Sequence, residues 1–302
     1  RAEIADLFLG PPSATLLNRA AYIDGLGYGV KAVTVMGENA AKNLPTVQGA
    51  MMVYDDQTGG VTAIIDSRLV TEIKTASDSV LGALLLARPD SKKLLVVGAG
   101  VVAASLVQAY SVLFPLLEQI AIWSRRPEQA QTLVSQFIDL DIPVVVASDL
   151  QEVASEADII STATMAQEPV LMGDWVSPGT HVDLIGAFKP DMREADDVLI
   201  SKGSLYVDSR ETTIHHIGEL MIPLAAGVIT EGDIRADFYD LVDATQHETK
   251  YHLKQADKQL NLLRAYLRIA VELGYTTSKQ YQHASEHTSE LGKLLGGWLK
   301  KA

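Results

Sequence analysis

The chain has 302 residues, 47% of them hydrophobic, and a formal net charge of −13; it can bury one large core or two ordinary ones, and its charge argues against a general nucleic-acid binder. It contains no cysteine, which excludes disulfides, thiolate metal sites and cysteine nucleophiles, leaves no metal site to expect, and fits a cytoplasmic protein. No apolar run reaches the roughly 18 residues of a membrane span, and the start, Arg1-Ala2-Glu3, has neither a signal-peptide pattern nor an initiator Met, as in a trimmed form.

In chain order, Val30–Val35 and Ala50–Tyr54 read as strands. Gln57-Thr58-Gly59-Gly60 reads as a turn into a third strand, Val61–Ile65, so residues 1–88 form a layer containing a hairpin. A long helix is predicted from Ser67 to Ala87, carrying Lys74 and Thr75, with Pro89 as its stop.

The stretch Leu94-Leu95-Val96-Val97-Gly98-Ala99-Gly100-Val101-Val102-Ala103 carries the most chemistry. Four apolar residues make a buried strand. Gly98 serves the tight turn, Gly100 lets a pyrophosphate approach the backbone, and Ala103 lets the next helix pack closely. That helix, Val101 to Phe114, points the free N–H groups of Val101 and Val102 at the phosphates. A second apolar strand, Ile120–Trp123, closes a βαβ unit. At its end, where an NAD site places an acid for the ribose 2′-hydroxyl, stand Ser124, Arg125 and Arg126. A hydroxyl and two guanidiniums suit a 2′-phosphate, so the cofactor expected is NADPH, with NADH second.

Further strands are predicted at Pro143–Ala147, Asp158–Ser161, His181–Ile185 and Leu205–Asp208. Strands alternating with helices give an α/β fold: a Rossmann-type doubly wound parallel sheet over residues 90–210 beside a second, α+β substrate domain. Ligands in such sheets lie beyond the strands' carboxyl ends, which directs attention to Thr162, Thr164 and Gly186. After Val242 no strand is predicted. Residues 243–302 hold nine basic and six acidic side chains, giving +3 against −16 for the rest. Two seams stepping by three and four occur there: Leu253, Ala256, Leu260, Leu263, Leu267 and Ala270, then Tyr281, Ala284, Thr288, Leu291, Leu295 and Trp298. They predict a C-terminal helical hairpin suited to bundle packing.

Residues 1–242 resemble the ornithine cyclodeaminase/mu-crystallin family. The pieces that carry the resemblance are Gly29-Val30-Lys31, the run Asn43 to Gly49, Thr71-Glu72-Ile73-Lys74-Thr75-Ala76, the glycine loop, Trp123-Ser124-Arg125, the run Gly179 to Glu194, and Gly218 to Leu224. The resemblance implies a dimeric NAD(P)-binding enzyme. It also implies a division into a substrate and dimerisation domain at 1–88, trimmed at its start, an NADP-binding domain at 89–210, and a return segment at 211–242. Lys31 matches the family's substrate lysine and is the expected catalytic residue. Lys74, where many members carry Arg, Thr75 beside it, and Arg1 are the expected substrate contacts.

Ornithine cyclodeaminases place an acid two residues after the glycine matching Gly186; here Phe188 stands there, and a phenyl ring cannot move a proton. The remaining pattern resembles the branch that reduces Δ1-pyrroline-2-carboxylate and Δ1-piperideine-2-carboxylate to L-proline and L-pipecolate. The partners expected are therefore a small cyclic imino acid and a second copy of the chain, with neither nucleic acid nor membrane. The alternatives are a non-catalytic mu-crystallin-like ligand binder, or another family oxidoreductase such as an amino-acid dehydrogenase. Residues 243–302 resemble the last helices of the four-helix-bundle accessory proteins of diversity-generating retroelements, with the closest likeness at Leu262–Arg268 and Glu290–Lys300.

Overall fold

The computed structural model describes residues 2–11, 13–42, 44–245, 260, 263 and 278–299. Two compact units divide between Arg235 and Ala236.

The first unit opens with five antiparallel strands in sequential order: β1 (Glu3–Leu9), β2 (Ala14–Ile23), β3 (Gly27–Met36), β4 (Val47–Tyr54) and β5 (Val61–Asp66). The strands β1 and β2 were not among those predicted. Their signals are turns rather than alternation: Gly10-Pro11 leads from β1 to β2, with Gly10 at φ +105°, and Asp24-Gly25 leads from β2 to β3. The turn between β4 and β5 is held by Asp55, whose Oδ1 accepts from the backbone and hydroxyl of Thr58, both at 2.7 Å.

Helix α1 (Ser67–Leu86) follows directly and packs on β4 and also on a strand of the next sheet, β10 (His181–Leu184). It therefore stands between the antiparallel sheet and a five-stranded parallel one. That second sheet is built from β6 (Lys93–Val97), β7 (Gln119–Trp123), β8 (Val144–Val146), β9 (Ile159–Thr162) and β10, in the order β10-β9-β6-β7-β8. The order reverses beside β6, which is where a doubly wound sheet opens a crevice. Alternate residues of β6 serve opposite cores. Leu94 and Val96 pack with Ala103, Leu106 and Tyr110 of helix α2 (Val101–Leu113), while Leu95 and Val97 pack with Ala154, Leu171 and Leu220. Burial on both faces is why β6 reads as an unbroken apolar run.

One expectation is corrected. Leu205–Val207 is a strand but lies outside the parallel sheet, in a two-stranded sheet with the strand that begins at Ile234; three residues of period-two pattern cannot tell which sheet will take them. A helix, Phe238–Thr245, runs through Val242. At its start Asp237 accepts from the Asp240 backbone N–H at 2.9 Å and Asp240 from the Asp237 backbone N–H at 3.1 Å.

In the second unit the helix Ser278–Leu299 is described. On its expected seam Thr288 is buried, Tyr281 and Ala284 are half-buried, and Leu291 is 46% exposed. Most of the first expected helix, and the side chains of Leu295 and Trp298, lie outside the described residues. Among the described residues no helix is long and apolar enough to cross a membrane.

Candidate active site

The glycine loop joins β6 to α2. Gly98 has φ +132°, and a Cβ there would lie 2.6 Å from the carbonyl oxygen of Ala163, so no larger residue fits. A Cβ at Gly100 would meet nothing within 4 Å. Gly100 is also the N-cap of α2, and no side chain caps it. The first N–H groups of that helix thus face open space, as an incoming pyrophosphate requires. Val101 is exposed and Val102 half-buried on this turn. At the end of β7, the Ser124 hydroxyl accepts from the Arg126 backbone N–H at 3.3 Å. Arg125 and Arg126 are exposed and form no ion pair with a described residue. The residues present fit a dinucleotide, with two free guanidiniums at the ribose end.

The loops that close this half rest on a buried acid that received no role from the sequence. The carboxylate of Glu194 accepts from the Thr162 hydroxyl (2.7 Å), the Thr164 N–H (2.7 Å), the Thr164 hydroxyl (2.6 Å) and the Gly186 N–H (2.7 Å). Thr162, Thr164 and Gly186 therefore do come together at the ends of β9 and β10, but these donors are turned to Glu194. Gly186 is also sterically required, because a Cβ there would fall 2.2 Å from the Thr164 carbonyl oxygen. The Glu194 and Ala195 N–H groups donate in turn to Glu219 at 2.6 and 3.0 Å.

Burial pushes Glu219 up from 4.5 to about 7 and Asp183 from 3.8 to about 6. An acid whose folded value is raised contributes stability that is complete below its unfolded value and is lost as pH rises through the folded one. Stability is therefore expected to fall between pH 4.5 and about 7 by at most about 3 kcal/mol from Glu219. Glu219→Gln should flatten that slope in urea titrations run across this range. An unchanged slope in the variant would assign it to other groups.

The part expected to hold the substrate is built on β1, β2, β3 and α1. Asp6 stands opposite Arg19, and Arg19 opposite Lys31, so the three side chains share one face of the sheet. Arg19 donates from Nε and Nη2 to the two carboxylate oxygens of Asp6 at 2.7 and 2.6 Å. That pair lowers the Asp6 carboxyl and raises the Arg19 guanidinium. On α1, Lys74 is exposed and paired with Asp78 one turn on, and Thr75 is half-buried beside it. Lys31 alone of these three cations pairs with no described carboxylate. Its ammonium is lowered from the ordinary value by burial first, then by the charges of Arg19 and Lys74. The Lys74 charge thus acts on Lys31, whereas Arg1 lies outside the described residues. Arg19 and Asp6 were missed because their strands were. Phe188 is 37% exposed, and the Lys189 ammonium sits 5.5 Å from its ring centre. No group of three or more histidine or acidic side chains among the described residues is arranged to hold a metal.

Over 242 residues the chain is 59% identical to a Δ1-pyrroline-2-carboxylate reductase of Paracoccus denitrificans, covering 80% of this chain and 77% of the relative. A structure of the Thermococcus litoralis Δ1-pyrroline-2-carboxylate reductase in complex with NADH and L-proline superposes with a TM-score of 0.77 at 29% identity, over 81% of this chain and 77% of that one. An archaeal alanine dehydrogenase dimer with bound NAD gives 0.73 at 28%, over 78% and 72%. The bAvd-like family model matches residues 234–302. The ornithine cyclodeaminase/mu-crystallin model matches residues 20–262, which takes in the lysine strand, the glycine loop and the Glu194 cradle together; the chain belongs to that family.

Proposed function

We propose that the protein reduces Δ1-pyrroline-2-carboxylate, and its six-membered homologue Δ1-piperideine-2-carboxylate, to L-proline and L-pipecolate with NADPH. The observation that carries this reading is the charge arrangement around Lys31. Of three neighbouring cations, two hold internal carboxylates and Lys31 holds none among the described residues, leaving one cation for the single carboxylate of a cyclic 2-imino acid. The similarity to two reductases of that name supports the reaction class.

When bound, the nicotinamide supplies a hydride for C2 of the C=N bond. The chain's own residues do the rest. The Lys31 ammonium binds the substrate carboxylate as a point charge. Lowered by burial, it also gives up a proton to the ring nitrogen more readily than an ordinary lysine, and regains one from water. Lys74, tethered to Asp78, adds positive potential beside it. Phe188, where a cyclodeaminase needs an acid, can take no proton, which fits reduction without release of ammonia. The test is NADPH oxidation with the five- and six-membered imines beside pyruvate plus ammonia. Turnover of the last pair alone would assign an amino-acid dehydrogenase instead.

NADPH is expected to bind more tightly than NADH, since Arg125 and Arg126 are exposed and form no ion pair with a described residue where the 2′-phosphate would lie. Arg125→Ala should weaken NADPH binding by roughly 1.5–3 kcal/mol, the worth of a charge-assisted hydrogen bond, and leave NADH unchanged. Fluorescence titration of both cofactors decides this; equal affinities in the wild type would overturn the preference. A homo-oligomer belongs to the same reading, supported by Leu7, Phe8 and Leu9 of β1, each more than half exposed at 53%, 57% and 52%.

A further inference from the structure

The row Asp6–Arg19–Lys31 holds more than the proposed reaction needs. Arginine presents a planar fork matched to a carboxylate, and it is a better clamp for a substrate than lysine. Here that guanidinium stands next to Lys31 in register and on the same face, yet its side-on pair of donors, Nε and Nη2, is filled from within by Asp6 at 2.7 and 2.6 Å, and the Asp6 charge neutralises it. The pair is partly shielded, with Asp6 at 23% and Arg19 at 35% side-chain exposure. The charges of Asp78 and Asp208 also act on Arg19, and those of His216 and Lys31 on Asp6. The row therefore faces the α1 side and the segment after Leu205–Val207, where the substrate half is assembled.

We infer that Asp6 is a specificity-determining residue: by holding and neutralising the Arg19 guanidinium it leaves Lys31 as the one cation of the row with no described carboxylate partner and restricts the site to imino acids with one carboxylate. A substrate bearing a second carboxylate would have to displace Asp6 or bring its charge up against it. Without Asp6, the same site would present an arginine fork and a lysine side by side, a constellation for a dicarboxylate. This inference rests on the reductase reading and adds to it the charge of the substrate.

The test uses the full chain loaded with NADP⁺. The probes are pyrrole-2-carboxylate, a planar monoanion, and the pyrrole-2,3-, 2,4- and 2,5-dicarboxylates, whose second carboxylate samples every ring position. Calorimetry gives the ratio of dicarboxylate to monocarboxylate affinity. Asp6→Asn is expected to raise that ratio at least about tenfold for one of the dicarboxylates, a change of about 1.4 kcal/mol. The double variant Asp6→Asn/Arg19→Gln should return it to the wild-type value. Arg19→Gln alone should leave the ratio within about threefold of wild type, because Asp6 already masks that fork; this variant keeps the inference testable if Asp6→Asn does not fold. An unchanged ratio in folded Asp6→Asn would overturn the inference and make the pair a staple between β1 and β2. So would loss of pyrrole-2-carboxylate binding in Arg19→Gln, which would mean that Arg19 itself holds the substrate. Turnover of Δ1-pyrroline-2-carboxylate by the wild type is measured separately, so failure of the reductase reading is distinct from failure of the charge filter.

Discussion

Replacing Lys31 by alanine is expected to lower kcat/KM for Δ1-pyrroline-2-carboxylate by about 100- to 10,000-fold, the range of a lost proton donor, while the dissociation constant of NADPH stays within about twofold. Two contributions combine in this residue. One is the charge-assisted contact to the substrate carboxylate, worth roughly 1.5–3 kcal/mol. The other is proton delivery to nitrogen, which a methyl group cannot provide. Lys31→Arg separates them: a guanidinium keeps the charge but does not release its proton in this pH range. It should therefore restore KM more than kcat. Steady-state kinetics beside a cofactor titration makes the distinction. Retention of most activity in Lys31→Ala would reduce Lys31 to a buried structural cation and remove the basis of the proposed mechanism. In the wild type, kcat is expected to fall at high pH as Lys31 loses its proton, and at lower pH than for an ordinary lysine because burial and two neighbouring cations favour the neutral amine.

The parallel-sheet half of the fold was legible from its residues, and the antiparallel half, which the reductase reading assigns to the substrate, only in part. Short motifs carry the first: β6, its two glycines, helix α2 and the Ser124–Arg126 segment are contiguous in sequence, and each follows from a local rule about turns, helix ends or buried strands. The substrate half is assembled across strands. Asp6, Arg19 and Lys31 are separated by 13 and 12 residues and become neighbours only through the antiparallel register. Neither β1 nor β2 alternates cleanly, since β1 is exposed along its whole length and β2 is half-buried on both faces; period-two reasoning has nothing to grip there. Lys31 was singled out by resemblance, but the fact that distinguishes it, the lack of a carboxylate partner among the described residues, exists only in three dimensions. Glu194 shows the same limit. It stands in a quoted motif, yet the donors it gathers come from Thr164 and Thr162, 30 and 32 positions away, and from Gly186, eight positions away.

Glu194→Ala is expected to destabilise the folded chain by about 2–6 kcal/mol, about 1–3 kcal/mol for each of the two buried backbone amides it leaves without an acceptor. The side chain is fully buried and takes four hydrogen bonds. The two threonine hydroxyls can turn toward other acceptors, but the backbone N–H groups of Thr164 and Gly186 cannot, and a buried amide left unpaired costs about 1–3 kcal/mol. Relaxation is blocked on the glycine side, where the Gly186 Cα already lies close against the Thr164 backbone. Glu194→Gln is no rescue: one of its ends is an NH₂ donor, so it would set donor against donor at Thr164 or Gly186. Burial raises the Glu194 carboxyl, but its four donors all favour the charged form; the glutamate is retained because only an acceptor at both oxygens satisfies the ends of β9 and β10 together. Against a typical total stability of about 5–15 kcal/mol, such a loss removes a large share of the folding free energy. Urea unfolding of wild type, Glu194→Ala and Glu194→Gln, each with and without saturating NADPH, checks it. The same loops border the cofactor crevice, so the variants should lose NADPH-induced stabilisation as well as intrinsic stability. A destabilisation below about 1 kcal/mol would mean that water replaces the carboxylate and that the cradle is not what fixes these loops.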